Sequence, residues 1–259
     1  MVVSSSILAI KATSSMRHTP NYRFNPEPQF SVNHIAEYLS STNASQRTRI
    51  ICAAKFPKKP EVAAYTQIRK PLREALTKPD FGNADLGILV RELDAKSRRE
   101  KGYKRDEALR CAKAVRSFQG TFNPRSFSQC EIVAAPRELF KKIEGVRVNV
   151  ALAASVTATM GDTTNAGGIV LLYAFSADRS AIKERLATTA ALVLWALESG
   201  QMEPLPRLCM AVDLADQKIF KASSSHTRFR SRVEESCKEI RARWQLIEPP
   251  SDYDGPDWQ

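Results

Sequence analysis

The sequence predicts an α+β fold: a helical, basic N-terminal region followed by a small mixed sheet flanked by helices. Three observations carry this. Between residues 30 and 118 apolar residues recur three and four apart, the spacing of one helical face. Beyond residue 129, short Val-, Ala- and Thr-rich segments and one almost unbroken apolar run, 169–175 (IVLLYAF), alternate with longer helical patterns. The charge divides at the same place. Residues 1–125 hold 23 Lys and Arg against 11 Asp and Glu, and residues 126–259 hold 16 against 17.

A chain of 259 residues, 43% hydrophobic and 26% charged, has the composition of a globular protein with one large or two modest domains. Its longest apolar run, 190–197, is too short to span a bilayer, so no membrane partner is expected. Residues 1–26 hold no acid and are rich in Ser, as organelle transit peptides are. The simpler reading is a disordered tail over 1–29, with Met16 as an alternative start. Five cysteines, Cys52, Cys111, Cys130, Cys209 and Cys237, are dispersed and odd in number, which fits a reducing, cytoplasmic location. His18, His34 and His226 are equally scattered. No metal-ligand spacing occurs, and no cofactor is expected.

A basic helical domain is predicted over 30–120. Ser31 is an N-cap candidate for a helix whose Val32, Ile35, Ala36 and Leu39 share one face. Asn43 is a second cap, opening a helix over 45–55 that Pro57 ends. The pair suggests either a helix-turn-helix presenting Arg47 and Arg49 or, more simply, an ordinary αα-hairpin. From Asn43 to Pro60 there are five basic residues and no acid: Arg47, Arg49, Lys55, Lys58 and Lys59. A helix over 61–77 adds Arg69, Lys70 and Arg73, with Pro71 able to kink it. A helix over 84–101 ends in Lys96, Arg98, Arg99 and Lys101, where cations suit the helix dipole, and Gly102 closes it. Another basic helix spans 104–118, starting at Lys104 and Arg105. The stretch 121–128 (TFNPRSFS), which follows Gly120 and contains Asn, Pro and Ser, reads as a linker.

An α/β domain is predicted over 129–248. A short strand at 129–134 is followed by a helix over 136–143 with Pro136 at its start. Residues 146–160 read as one long or two short strands, 161–168 (GDTTNAGG) as a turn, and 169–175 as a buried strand. A helix over 178–199 carries Trp195 on its apolar face. Strands at 208–214 and 218–222 follow, then a helix over 227–246 whose stripe includes Val233, Cys237, Ile240 and Trp244. His226 suits a capping loop before that helix better than a general base. Residues 249–259 read as a free acidic tail.

The order helix, strand, strand, helix, strand, strand, helix over about 126–247 resembles, in topology, the core of the PD-(D/E)xK nuclease superfamily. The resemblance implies an Asp on one hairpin strand and an acid-x-Lys on the next, together holding a divalent metal. Here the strands 146–160 and 169–175 hold no acid. Asp162 lies at the turn, while Asp213 and the D-x-K match Asp216-Gln217-Lys218 lie on the later hairpin, where a polar β-turn is the simpler reading. The glycines at 161, 167 and 168 lack the order of a phosphate-cradling loop, and no serine sits in a G-x-S-x-G context.

The charge split therefore predicts a nucleic-acid-binding protein without catalysis of its own. The expected phosphate contacts are Arg47, Arg49, Lys55, Lys58, Lys59 and Arg69, extended by Lys96, Arg98, Arg99 and Lys104. One alternative is a divergent nuclease using Asp162, Asp213, Asp216 and Lys218 with magnesium. The other is a protein–protein adaptor of a mobile-element or defence system, in which the basic helices meet an acidic protein.

Overall fold

The structure, a computed structural model, describes residues 20–59, 64–136, 138–173 and 181–258. It is α+β, with seven α-helices and eight strands in two mixed sheets among those residues. Strand β1 (Gln29–Ser31) leads directly into α1 (Val32–Ser40). The Ser31 hydroxyl caps α1 by accepting from the His34 amide at 3.2 Å. Asn43 caps α2 (Ala44–Lys55), its Oδ1 accepting from the Ser45 amide at 2.8 Å and the Gln46 amide at 3.3 Å. Both caps and both helices lie where their sequence pattern puts them.

Helix α3 (Thr66–Leu76) contains Pro71 without being split by it; residues 60–63, part of the expected helix, lie outside the described residues. Helices α4 (Asn83–Arg99) and α5 (Gly102–Thr121) form a hairpin with a two-residue connection. Gln119 Nε2 donates to the Asn83 carbonyl at 3.1 Å and ties the far ends of the pair together. Gly102, with φ +57°, opens α5 as well as ending the approach from α4. The stretch read as a linker is packed: it forms a 3₁₀ turn (Pro124–Phe127), and Phe122 and Phe127 are buried against Phe81 and Phe118.

The structure differs from expectation at three further places. Among the described residues of 136–143 there is no helix; Arg137 lies outside them. Strand β3 (Phe140–Ile143) pairs antiparallel with β4 (Val146–Asn149) through a Glu144-Gly145 turn. Both turn residues have positive φ, 48° and 85°, the geometry of a tight hairpin. Strands β1, β4 and β3 make one sheet, with β1 parallel to β4. Next, the turn expected over 161–168 shrinks to Gly161-Asp162, because β5 (Ala154–Met160) pairs with a long β6 (Thr163–Leu172) that runs through Gly167 and Gly168. A Cβ on Gly167 would stand 2.2 Å from Leu208 Cβ, and one on Gly168 would stand 2.8 Å from Leu152 Cδ2. These glycines permit close strand packing rather than a turn. Residues 174–180, which include the end of the expected strand and the start of the next expected helix, lie outside the described residues.

Helix α6 (Ile182–Leu197) leads to β7 (Pro204–Asp213), which is parallel to β6, and β8 (Lys218–Lys221) completes an antiparallel hairpin with it. With β2 (Glu131–Ala134) on β5, the larger sheet has the order β2-β5-β6-β7-β8. Helix α7 (Thr227–Trp244) ends the regular structure. The apolar side chains of β6 and β7 alternate between two buried clusters on opposite faces of this sheet. Val170, Leu172, Cys209 and Ala211 join the cluster with α1, α2, α6 and α7. Ile169, Leu171, Met210 and Val212 join the cluster with α3, α4 and α5. Each cluster thus draws on both halves of the chain. Trp195 and Trp244 are core residues, 8% and 1% exposed. No helix among the described residues is long and apolar enough to cross a membrane.

The third difference concerns both termini. Residues 1–19 of the expected N-terminal tail lie outside the described residues, but its remainder is bound to the acidic C-terminal segment, which is not free. Asp254 accepts from the Asn21 and Tyr22 amides at 2.8 and 3.0 Å. Asp252 accepts from the Tyr22 hydroxyl at 2.7 Å and from Lys58 Nζ at 2.8 Å. Tyr253 packs on Tyr22 and Phe56, and Trp258 on Phe56. The hydrogen bond from Lys58, then that from Tyr22, holds the Asp252 carboxyl below its ordinary pKa of 3.8. A carboxylate so depressed contributes stability that is complete at neutral pH and fades as the pH falls through its lowered value. Acidification below 3.8 is therefore expected to loosen the clasp. Trp258 emission should shift to the red, and Asp252→Asn should produce the same shift at neutral pH. An emission maximum unchanged in Asp252→Asn would show that the carboxylate does not hold the segment.

Candidate nucleic-acid interface

The ten basic residues expected to contact phosphate divide into two groups on opposite faces of the larger sheet. Arg47, Arg49, Lys55, Lys58 and Lys59 belong to α2 and its exit, on the face shared with α6 and α7. Arg69, Lys96, Arg98, Arg99 and Lys104 belong to α3, α4 and α5 on the other face.

Most of the first group is engaged within the molecule. Arg47 Nη1 lies 3.4 Å from Glu239 Oε2, its Nε donates to the Ser41 carbonyl at 2.9 Å, and its guanidinium stands over the Tyr38 ring at 5.1 Å. Lys58 is paired with Asp252, as above. Lys59 Nζ donates to the Pro20 carbonyl at 2.8 Å. Lys55 is only 2% exposed; its Nζ donates to the Ile247 carbonyl at 2.8 Å and faces the rings of Phe56 and Trp258 at 5.2 and 5.3 Å. Burial pushes the Lys55 pKa down. Of this group only Arg49 is exposed and without a side-chain partner among the described residues. Lys55 is thus a core residue, which its place in an acid-free stretch did not show. Lys55→Met is expected to lower stability by about 1–2 kcal/mol through the orphaned Ile247 carbonyl, read as a shifted urea midpoint, with nucleic-acid affinity unchanged.

The second group stands outward. Residues 96–105 place Lys96, Arg98, Arg99, Lys101, Lys104 and Arg105 around the α4–α5 connection, with Glu100 the one acid among them. Arg98, Arg99, Lys101, Lys104 and Arg105 are exposed, and Lys96 is half-buried. No salt bridge among the described residues engages any of the six. Lys96 Nζ donates to Gln67 Oε1 of α3 at 2.8 Å, and Arg98 Nε to the Asp94 carbonyl at 3.3 Å. Lys101 and Arg105 were absent from the expected footprint, although their position between two basic helix ends was a usable signal.

A buried carboxylate ties this tip to α3. Glu107, 5% exposed, accepts from Arg110 Nη2 at 2.9 Å and from the Tyr65 amide just before α3. Arg110 in turn lies over the exposed ring of Tyr103 at 5.3 Å. Tyr65 stacks on Tyr173 with centroids 5.5 Å apart, and Arg69 lies over the same Tyr173 ring at 5.9 Å. Burial raises the Tyr173 pKa to about 12, so its hydroxyl stays protonated at neutral pH. Arg69 with the stacked Tyr173 and Tyr65, and Arg110 with Tyr103, therefore form two cation–aromatic groups joined through Glu107 and leading to the tip.

The residues of the nuclease alternative do not converge. Asp213 at the end of β7 pairs in register with Lys218 and lies beside Leu172, the last residue of β6. Asp162 precedes the first residue of that ten-residue strand, which sets the two carboxylates about 30 Å apart. Asp213 is 1% exposed, and its Oδ1 accepts from the Ala215 amide at 2.9 Å, an Asx-turn that shapes the β7–β8 hairpin with Asp216 at its exposed end. Among the described residues no group of three His, Cys, Asp or Glu side chains is placed to hold a metal ion. Compared with models of known families and with curated proteins, the chain matches none.

Proposed function

We propose that this protein binds nucleic acid through the phosphate backbone, using the α3–α4–α5 face, and that it acts in the cytoplasm without catalysis of its own. The single observation behind this is the α4–α5 tip: six cations in ten residues, one acid, and no intramolecular carboxylate engaging them among the described residues. Arg69 extends the cationic surface along α3, its guanidinium over the Tyr173 ring on which Tyr65 stacks. Contacts of this kind release counterions and carry affinity without reading base sequence.

The test is the salt dependence of binding by the full chain, measured with duplex DNA, single-stranded DNA and RNA of random sequence. The expected result is tight binding at low salt and a log–log slope close to −0.9 for each duplex phosphate contacted. Affinity that ignores salt, or none at low salt, rejects the reading. Magnesium-dependent cutting lost in Asp213→Ala would replace it with the nuclease. Capture of an acidic protein in a pull-down that survives nuclease treatment, with no nucleic-acid binding, would replace it with the adaptor.

A further inference from the structure

Where the 3₁₀ turn meets β5, β7 and β8, Cys130, Met160 and Ile219 present apolar surface beside the buried Phe127, Leu208 and Met210. The space between these elements is a cavity of about 910 Å³. That is the size of a site for a small organic molecule. Three cations line it, Arg125 from the 3₁₀ turn, Arg207 from β7 and Lys221 from β8, and no Asp or Glu is among the lining residues. Arg125 and Lys221 have no side-chain partner among the described residues. Arg207 Nη2 rests 2.8 Å from the thioether sulfur of Met160, a weak acceptor that leaves the guanidinium charge uncompensated.

We propose that this cavity is a binding site for a phosphate ester with an apolar or aromatic body, of nucleotide size. Three cations lining one cavity, with no carboxylate among the lining residues, exceed what a single carboxylate would balance, and they suit the two or more negative charges of a phosphoryl group. The apolar surface of Cys130, Met160 and Ile219 gives inorganic phosphate nothing to cover, whereas a base or similar ring would bury it. The site is separate from the α4–α5 tip. It lies at the C-terminal end of α5 and the tip at the N-terminal end, and 20 helical residues span about 30 Å.

The ester can be a free nucleotide or one nucleotide of a strand, and the experiment distinguishes them. The full chain is titrated with AMP, ATP, pyrophosphate and a short single-stranded oligonucleotide. Alkylation of Cys130, half-buried in the same cavity, is followed by mass spectrometry. The expected result is that AMP or ATP binds with a dissociation constant below about 1 mM and slows Cys130 alkylation. Pyrophosphate should do so more weakly. Arg207→Gln with Lys221→Gln should weaken the nucleotide about tenfold or more, with the melting temperature unchanged as the check on folding. Arg98→Gln with Arg99→Gln should leave nucleotide affinity intact. Displacement of AMP by the oligonucleotide assigns the occupant to a strand, and failure to displace it assigns a free nucleotide. Absence of binding by every probe, or nucleotide affinity equal in the wild-type chain and the Arg207/Lys221 variant, overturns the proposal. Because the tip is not involved, either outcome leaves the reading of the tip to its own salt titration.

Discussion

Replacing Arg98, Arg99, Lys101 and Lys104 together with glutamine is expected to weaken duplex DNA binding roughly a hundredfold at low salt. It should also flatten the log–log salt slope by up to about 3.6, since each lost phosphate contact removes about 0.9. Thermal stability should hold, because the four side chains are exposed and no ion pair among the described residues depends on them. The companion variant, Arg47→Gln with Lys58→Gln, removes the same kind of charge from α2 and should behave in the opposite way. It breaks contacts with Glu239 and Asp252 and so should shift the unfolding midpoint, while the salt slope stays as in the wild type. Fluorescence anisotropy on both variants, with urea titrations alongside, measures all four quantities. Equal slopes in the wild-type chain and the quadruple variant would remove the tip from the interface.

The contrast between those variants marks what the sequence could and could not show. Counting charges finds an acid-free stretch of 18 residues, 43–60, and a second basic concentration at 96–105. It cannot find the partners that lie far along the chain. Glu239 is 192 positions from Arg47, and Asp252 is 194 from Lys58. The acidic C-terminal segment, read as a free tail, is held by Lys58 and by the Asn21 and Tyr22 amides. The same holds for the aromatic pair: Tyr65 and Tyr173 are ordinary residues until the fold stacks them. The helices and their caps were legible because their signals are local, as with Ser31 before the Val32, Ile35 and Leu39 face or Asn43 before α2. The β3–β4 hairpin was not. Phe140 to Ile143 is too short to establish a period, and Glu-Gly is a weaker turn signal than Asn-Gly.

Gly167→Ala is expected to destabilise the protein by about 3 kcal/mol or more, at the upper end of the cost of inserting one methyl into a packed core. β6 and β7 are central strands of the larger sheet, and their parallel register shifts between Ala166 and Gly168. At that shift the added Cβ would meet Leu208 Cβ at 2.2 Å and the Leu208 carbonyl oxygen at 2.4 Å. Neither belongs to the end of a flexible side chain, so relief requires the two strands to move apart. That motion would disturb Ile169 and Met210 in one cluster and Val170 and Ala211 in the other. Gly161→Ala provides the comparison. Its glycine sits at the β5–β6 turn with φ +61° and nothing within 4 Å of a new Cβ, so the cost is only the backbone strain of the left-handed region, about 1 kcal/mol. A reading of 161–168 as one turn predicts equal costs for the two substitutions. A continuous β6 predicts that Gly167→Ala shifts the urea midpoint several times as far as Gly161→Ala, and equal shifts would contradict that strand.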